Sequence, residues 1–152
     1  MTIKKVAVIG GGTMGSGIAE VAAKSGCDTI VVEIDASLAE QAQKKLEVST
    51  EKAVSREKMT DEDRSGLLSR ISFTTNFDEL TDRDLVIEAV VESPSVKASV
   101  FKTLDEIVQK DGILASNTSS ISITKIAAAT SRPEKVIGMH FMNPCLLYTS
   151  DA

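Results

Sequence analysis

The stretch that decides the fold is residues 6–17, Val-Ala-Val-Ile-Gly-Gly-Gly-Thr-Met-Gly-Ser-Gly. Its first four residues are apolar and mostly β-branched or small, which is typical of a central strand buried on both faces. Glycines follow at once. From Met14 apolar residues recur at helical spacing as far as Lys24, and Gly26 ends the pattern. The stretch predicts a buried strand that passes through a glycine-rich turn into a helix.

The spacing of the glycines predicts what this turn binds. Gly10, Gly12 and Gly15 fit the pattern Gly-x-Gly-x-x-Gly. In that pattern the first glycine permits a tight turn, the second lets a pyrophosphate approach the backbone, and the third lets helix pack on strand. The helix N-terminus favours an anion because its first N–H groups are unpaired. The alternative is a glycine-rich turn that binds no ligand.

A second glycine spacing leaves another possibility open. Gly11, Gly15 and Gly17 also fit Gly-x-x-x-Gly-x-Gly, the spacing used by short-chain dehydrogenases. Those enzymes need Tyr-x-x-x-Lys, and the single tyrosine, Tyr148, has no lysine after it. The first pattern is therefore favoured.

One carboxylate indicates which dinucleotide fits. Residues 29–34 are predicted to form the second strand, and Glu33 stands close to the spacing at which a carboxylate meets the adenosine ribose. Such a carboxylate accepts hydrogen bonds from both ribose hydroxyls and repels a 2′-phosphate, so NAD is favoured over NADP. The alternative is that Glu33 is a solvated strand end and that Asp35 caps the next helix.

Composition excludes several classes of function. With 152 residues, 42% hydrophobic and 26% charged, the chain suits one globular domain. A net charge of −5 with scattered lysines argues against a nucleic-acid partner. No apolar run is long enough to span a membrane. Cys27 and Cys145 form no C-x-x-C pair, so we expect reduced thiols, no metal site and a cytoplasmic protein.

A helix pair is predicted after the second strand. Its first helix is capped by Asp35 or Ser37, and its second covers residues 59–68 with Thr60 as cap. The pair is longer and more polar than an ordinary crossover, so we expect it to project into solvent.

Three polar residues of this pair fall on one helical face. Ser49, Lys52 and Arg56 have the spacing to grip a phosphate-rich ligand. The alternative is an ordinary solvated, charged face.

The rest of the chain alternates between strands and helices. Strands are predicted at 70–75, 84–91, 113–116 and 135–140, and helices at 95–110 (opened by Pro94 and closed by Gly112) and 122–129. This alternation predicts an α/β fold with a doubly wound parallel sheet of the Rossmann type.

Polar clusters follow four of these strands. They are residues 10–15, 88–92, 116–120 and 140–144. Because ligands bind beyond the carboxyl ends of parallel strands, we expect the four clusters to converge on one crevice.

His140, the single histidine, is the candidate catalytic base. Oxidation of an alcohol requires a base that takes the hydroxyl proton as hydride leaves, and imidazole groups exchange protons near neutral pH. A lone histidine at a strand end is more often structural, but the dinucleotide motif and Asn143 favour catalysis here. Asn117 and Ser119 are then available to hydrogen-bond substrate or nicotinamide.

Four stretches carry a resemblance to a known family. They are Gly-Gly-Gly-Thr-Met-Gly-Ser-Gly-Ile-Ala (10–19), Leu-Val-Ile-Glu-Ala-Val-Val-Glu (85–92), Leu-Ala-Ser-Asn-Thr-Ser-Ser (114–120) and Arg-Pro-Glu-Lys-Val-Ile-Gly-Met-His-Phe-Met-Asn-Pro (132–144). Together they resemble the NAD-binding domain of the L-3-hydroxyacyl-CoA dehydrogenases. The similarity runs through residues 3–144, and Ser-Asn-Thr-Ser-Ser and His-Phe-x-Asn-Pro are its most specific motifs.

The resemblance implies NAD-dependent oxidation of a (3S)-3-hydroxyacyl-CoA to a 3-oxoacyl-CoA. It implies that His140 is the base and that Ser119 and Asn143 bind the substrate oxygen and the reacting groups. The CoA would contact the helix pair, where Ser49 and Arg56 match family positions only weakly. The positions implied to bind NAD are Gly10, Gly12, Thr13, Met14, Gly15, Glu33, Glu92, Lys97 and Asn117.

The resemblance ends after Pro144. The family continues with a proline, a lysine and a glutamate that orients the imidazole, and the position of that glutamate is Ala152 here. Residues 1–144 are therefore expected to be the NAD-binding domain and residues 145–152 an atypical tail. The helical C-terminal domain, which completes the substrate site and forms the homodimer in the family, is expected to be absent, and the chain alone to be inactive.

Two other functions stay open at this point. One is a dehydrogenase that acts on another 3-hydroxy compound. The other is a non-catalytic NAD-binding module, which would have no use for a base such as His140 beside the hydride.

Overall fold

A computed structural model describes residues 2–118 and 121–141, which form a six-stranded sheet flanked by helices. The strands lie in the order β3-β2-β1-β4-β5-β6, and each neighbouring pair is parallel. This order is that of a Rossmann fold, so the predicted doubly wound sheet is confirmed. In chain order the strands are β1 (Lys5–Ile9), β2 (Asp28–Val32), β3 (Ile71–Thr74), β4 (Leu85–Glu88), β5 (Ile113–Ser116) and β6 (Val136–Gly138).

Helices connect the strands across both faces of the sheet. They are α1 (Thr13–Lys24), α2 (Ala36–Ser55), α3 (Asp61–Ser69), α4 (Pro94–Ile107) and α5 (Ile123–Ala127), with short 3-10 helices at Phe77–Leu80 and Pro133–Lys135. Within residues 2–118 and 121–141, none of the helices combines the length and the apolar character needed to cross a membrane.

The starts of three helices agree with the cap residues in the sequence. The Asp35 carboxylate accepts the Leu38 N–H at 2.8 Å, so Asp35 rather than Ser37 caps α2. The hydroxyl groups of Thr60 and Ser122 cap α3 and α5 in the same way. Each such cap satisfies an otherwise unpaired N–H group and contributes about 1 kcal/mol to stability.

The core forms two layers, one on each face of β1. Val6 and Val8 pack with residues of α1, whereas Ala7 and Ile9 pack with residues of α4. Phe101, which anchors the α4 layer, is 0% exposed. Because successive strand residues point to opposite faces and both faces are covered, β1 is apolar at every one of these positions.

Three strands end two or more residues earlier than the sequence predicts. Ile34, Val91 and His140 were expected inside β2, β4 and β6, but each lies beyond its strand. Ile34 is 83% exposed and Val91 is 69% exposed. These two apolar side chains therefore lie on the surface and not in the core. The strand pattern alone does not distinguish exposed apolar residues from buried ones.

The helix predicted at 95–110 is shifted and shorter, and a distant arginine explains where it ends. Val108 is extended, with ψ of 141°, and terminates α4. The guanidinium of Arg132 donates to the carbonyl oxygens of Val108 at 2.8 Å and Gln109 at 2.6 Å. It also pairs with the carboxylate of Asp105 at 2.9 Å. Arg132 thus binds carbonyl groups that the helix itself leaves unpaired.

The pair α2 and α3 is packed along one side and exposed along the other. Ala42 and Leu46 of α2 and Leu67 of α3 are buried, and the pair contacts α1 and β3. Arg64 of α3 donates from Nε to the Thr50 hydroxyl of α2 at 3.0 Å. The polar faces of the pair do lie in solvent, but its apolar side rests on the edge of the sheet.

A buried carboxyl group lies between α1 and α2. Glu20 is 5% exposed and hydrogen-bonds to the Ser49 side chain. Burial raises the pKa of Glu20 above its ordinary value, and the Ser49 hydrogen bond and the charge of Lys24 oppose that rise only in part. Ser49 is thus engaged with α1, whereas Arg56 is exposed at the end of α2. Ser49 is half-buried, and Arg56 is the more exposed of these two candidates.

Replacing Glu20 by glutamine is expected to stabilise the chain at about pH 8 and to change little at about pH 4. The raised pKa of Glu20 favours the folded state below the ordinary value of 4.5, and that stabilisation is lost as pH rises through the folded value. Glutamine is neutral throughout and keeps the contact with Ser49. Urea unfolding of both proteins at the two pH values measures the difference. The exposed Glu51→Gln is the control, and a pH-independent difference for Glu20→Gln would contradict burial as the cause.

Candidate functional site

The glycine-rich turn between β1 and α1 is crowded at Gly10 and Gly15 and open at Gly12. Gly10 has a φ of +100°, and a Cβ there would lie 2.8 Å from the carbonyl oxygen of Ala89. A Cβ on Gly15 would overlap the carbonyl oxygen of Gly10. By contrast, apart from the chain neighbours of Gly12, no atom of the described residues lies within 4 Å of the position that a Cβ on Gly12 would take. The turn is thus tightly packed beneath Gly10 and Gly15 and open above Gly12.

The start of α1 is suited to bind an anion. Gly12 is the N-cap residue and offers no side chain to the first turn, which contains no acidic residue. Thr13 and Met14 form that first turn, and Thr13 is exposed. The first N–H groups of a helix carry a partial positive charge, so a phosphate above Gly12 would meet attraction and no steric barrier.

A cavity of about 500 Å³ opens beside this turn. Its walls are mainly apolar and come from the ends of β1, β2 and β4 and from α4. Ile34 and Val91, the exposed residues beyond β2 and β4, belong to it. Apolar walls of this kind suit the flat face of an aromatic ring. The lining residues are Ile9, Gly10, Gly11, Gly12, Val32, Glu33, Ile34, Leu38, Phe77, Ala89, Val90, Val91, Val96 and Val100.

Glu33 supplies the carboxylate in this cavity. Its backbone N–H donates to the carbonyl oxygen of Thr74 at 3.0 Å, which fixes the chain directly after β2. Its Cγ lies 3.4 Å from where a Cβ on Gly11 would stand. An anion-binding helix start, an apolar wall and one carboxylate acceptor therefore lie side by side, and these residues fit a dinucleotide such as NAD.

His140 lies at the same edge of the sheet, beyond β6. Its side chain is exposed, and the backbone on both sides of it is held. The N–H of Met139 donates to the carbonyl oxygen of Ser116 at 2.9 Å. The N–H of Phe141 donates to the side-chain oxygen of Asn117 at 2.8 Å. Asn117 thus fixes the segment that carries the imidazole.

Lys97 and Glu92 follow β4, which lies between β1 and β6 in the sheet. The Lys97 ammonium is 2.5 Å from a carboxylate oxygen of Glu88 and 3.4 Å from one of Glu92. Glu92 also accepts a hydrogen bond from the Thr118 hydroxyl at 2.7 Å. Since β4 and β5 are neighbours in the sheet, these contacts join the two strand ends.

The structure brings together most of the residues that the sequence nominated. The turn, Glu33, Lys97, Asn117 and His140 all lie at the carboxyl edge of neighbouring strands. Ser49 and Arg56 lie on α2 and its C-terminal end, away from that edge. Ser119 and Asn143 lie outside the described residues, and their predicted roles stay predictions.

Sequence reasoning placed Glu88 in one of the polar clusters but gave it no role of its own. It is 0% exposed and stands at the end of an otherwise apolar strand. A carboxylate at the last position of a buried strand, followed by a lysine in the first turn of the next helix, was the available signal. The pairing of Glu88 with Lys97 becomes visible only in three dimensions.

Comparison with known proteins points in the same direction as the geometry. The sequence model of the family described as "3-hydroxyacyl-CoA dehydrogenase, NAD binding domain" matches residues 5–149. The chain is 48% identical over 143 residues to a 3-hydroxybutyryl-CoA dehydrogenase of Mycobacterium tuberculosis, a match that covers 93% of this chain and 50% of that protein. It is 47% identical over 140 residues to the protein of that name from Clostridioides difficile, with 92% and 50% covered.

A solved structure agrees with these sequence matches. The crystal structure of (S)-3-hydroxybutyryl-CoA dehydrogenase from Ralstonia eutropha superimposes with a TM-score of 0.92 at 42% sequence identity. The match covers 95% of this chain and 51% of that one. The chain thus spans about half the length of the relatives that it matches.

Two glycine substitutions are expected to separate stability from binding. Gly15→Ala forces a Cβ into the Gly10 carbonyl oxygen and should lower the free energy of unfolding by about 2–4 kcal/mol, at or above the usual cost of overpacking. Gly12→Ala has open space and should cost less than about 1 kcal/mol in stability. It should nevertheless weaken NADH binding about tenfold, because its methyl group occupies the approach to the helix start. Urea unfolding measures the stability of each variant, and NADH fluorescence titration measures its affinity. Equal stabilities of the two variants would contradict this packing.

Glu33→Ala is expected to reduce the preference for NAD over NADP. We expect the unsubstituted chain to bind NAD at least about tenfold more tightly, which corresponds to about 1.4 kcal/mol. Removing the carboxylate removes both its acceptance of ribose hydroxyl groups and its repulsion of a 2′-phosphate. Calorimetric titration with the two nucleotides measures the ratio, with the exposed Glu51→Ala as control. Equal affinity of the unsubstituted chain for both nucleotides would contradict the assignment of Glu33.

Proposed function

Because this chain belongs to the family of 3-hydroxyacyl-CoA dehydrogenase NAD-binding domains, we propose that it is the cofactor-binding half of such an enzyme. The proposed reaction is the reversible oxidation of a (3S)-3-hydroxyacyl-CoA, such as 3-hydroxybutyryl-CoA, to the 3-oxoacyl-CoA. The observation that carries this proposal is the position of His140. It lies at the same sheet edge as the glycine turn, and Asn117 holds its backbone.

The residues at this edge suit NAD. The pyrophosphate would lie on the N–H groups of Thr13 and Met14 above Gly12, and Glu33 would accept the ribose hydroxyl groups. The apolar wall that includes Ile34 and Val91 would cover the adenine. NAD supplies a hydride acceptor when bound. The protein binds and orients it.

His140 takes the hydroxyl proton of the substrate in this proposal. Its exposed imidazole is accessible to a substrate that arrives from solvent. The hydrogen bonds at Met139 and Phe141 limit the movement of its backbone. A base that is already held within reach of the proton lowers the activation barrier, because the entropy of bringing the two groups together has been lost beforehand. Ser119 and Asn143 would bind the substrate oxygen and the reacting groups.

The CoA part of the substrate is assigned to the helix pair with Arg56 as one contact. Arg56 is exposed, and its guanidinium suits a phosphate. Ser49 would take part only if its hydrogen bond with Glu20 were exchanged for one with the ligand.

Residues 1–144 form the NAD-binding domain in this proposal. Since the relatives are about twice as long as the matched region, the second half of such a protein would complete the substrate site and form a homodimer. The cytoplasm is the proposed location, with an acyl-CoA as the partner and no nucleic acid.

The test is made in a protein that carries both halves. His140→Gln is expected to lower turnover of acetoacetyl-CoA, followed by NADH absorbance, by about 10²-fold or more, while NADH affinity stays within about twofold. In this direction the imidazole that acts as base in the oxidation gives its proton to the substrate oxygen, so the proton donor would be lost but the cofactor contacts would remain. Lys110→Gln, an exposed substitution beyond α4, is the matched control. Near-normal turnover of His140→Gln would contradict the proposed mechanism. NADH binding without any turnover in the unsubstituted protein would favour a non-catalytic NAD-binding module.

A further inference from the structure

The carboxylate of Glu88 takes no part in the proposed reaction, yet it is among the most buried side chains of the chain. It is 0% exposed and ends β4, directly before the two residues that border the cavity, Ala89 and Val90. β4 and β1 are adjacent, and the connections reverse direction between them. Glu88 therefore lies at the switch point of the sheet, where doubly wound folds bind their ligands.

Both carboxylate oxygens of Glu88 are used. Oε1 accepts the Ser116 hydroxyl at 2.6 Å. Oε2 accepts the Val90 N–H at 2.7 Å and the Lys97 ammonium at 2.5 Å. Ser116 stands opposite Glu88 in the register of β4 and β5. The carboxylate is thus fixed by a strand on one side and by the next backbone turn on the other.

Lys97 needs this carboxylate for two reasons. Its side chain is 2% exposed, so its positive charge is withdrawn from water. It also lies in the first turn of α4, where the helix dipole disfavours a cation. Glu88 supplies the nearest negative charge, and Glu92 adds a second carboxylate at 3.4 Å.

Stability alone does not account for such a pair. A buried ion pair is expensive to desolvate, and apolar residues of similar size often stabilise a protein as well or better. This pair lies beside the ligand cavity: the Lys97 ammonium is 3.5 Å from the carbonyl oxygen of Val90. Val90 lines the cavity, as do Val96 and Val100 from the helix of Lys97.

We propose that Glu88 is a positioning residue that holds the Lys97 ammonium at the edge of the dinucleotide cavity. Glu88 acts through Lys97 and does not touch the ligand. The charge of Lys97 is then fixed behind the Val90 carbonyl group that borders the cavity, because its partner cannot move relative to the strand ends. This inference rests on the proposed function in one respect, namely that NAD fills the cavity.

The test is a double-substitution cycle in the 152-residue chain, with NADH affinity read by fluorescence. Glu88→Gln and Lys97→Gln are each expected to weaken NADH binding about tenfold or more. The double variant is expected to bind no more weakly than Lys97→Gln alone, because in the proposal Glu88 affects NADH affinity through its ion pair with Lys97. Losses that add in the double variant, or unchanged affinity of Glu88→Gln, would overturn the proposal.

Asp105→Asn is the matched control for a general loss of stability. It breaks another ion pair, between the partly buried Asp105 and the buried Arg132 at the far end of α4. It should lower the thermal midpoint and leave NADH affinity within about twofold, whereas Glu88→Gln should change both. A similar loss of affinity in Asp105→Asn would show that any lesion of α4 has this effect, which would overturn a specific role for Glu88.

The remaining outcomes are distinguishable from one another. If Glu88→Gln, which removes the nearest carboxylate from Lys97, does not fold, the neutral double variant and Lys97→Gln carry the test. Equal affinity of those two then supports the proposal, and a further loss in the double variant overturns it. If the unsubstituted chain binds no NADH, the proposed function fails and this inference fails with it. If it binds and the cycle is additive, only the inference fails.

Discussion

The close contact of α1 with the turn that follows β1 is the constraint on which the site depends. Gly15 lies against the carbonyl oxygen of Gly10, and Gly10 in turn lies against Ala89 beyond β4. Any side chain at Gly10 or Gly15 would separate these elements. Because they are in contact, the start of α1 points across the ends of β1 and β4, and an anion bound there lies beside the apolar cavity.

A second set of contacts connects this cavity with the catalytic candidate. Hydrogen bonds and ion pairs run from Lys97 through Glu88 to Ser116 at the end of β5. The next residue, Asn117, accepts the N–H that follows His140. Each contact joins the ends of neighbouring strands, so the parallel sheet supplies the spacing and the polar side chains supply the orientation. The proposed dehydrogenase function uses the cavity at one end of these contacts and His140 at the other.

Much of the fold follows from local pattern. The order of strands and helices, the caps Asp35 and Thr60, and the roles of Gly10 and Gly15 all depend on residues close in sequence, and the structure confirms them. Strand ends were harder to predict. Apolar residues beyond β2 and β4 continue the strand pattern, and only the cavity shows that they line a surface.

The sequence by itself therefore determined the class of sheet, the dinucleotide turn and the identity of the candidate base, because spacing along the chain carries that information. Only the tertiary structure decided that Glu88 pairs with Lys97, that Ser49 turns to Glu20, and that Arg132 ends α4. Each of these contacts joins residues on different elements. Which buried charges and hydroxyl groups become partners depends on how the elements pack, and no periodicity within one element records it.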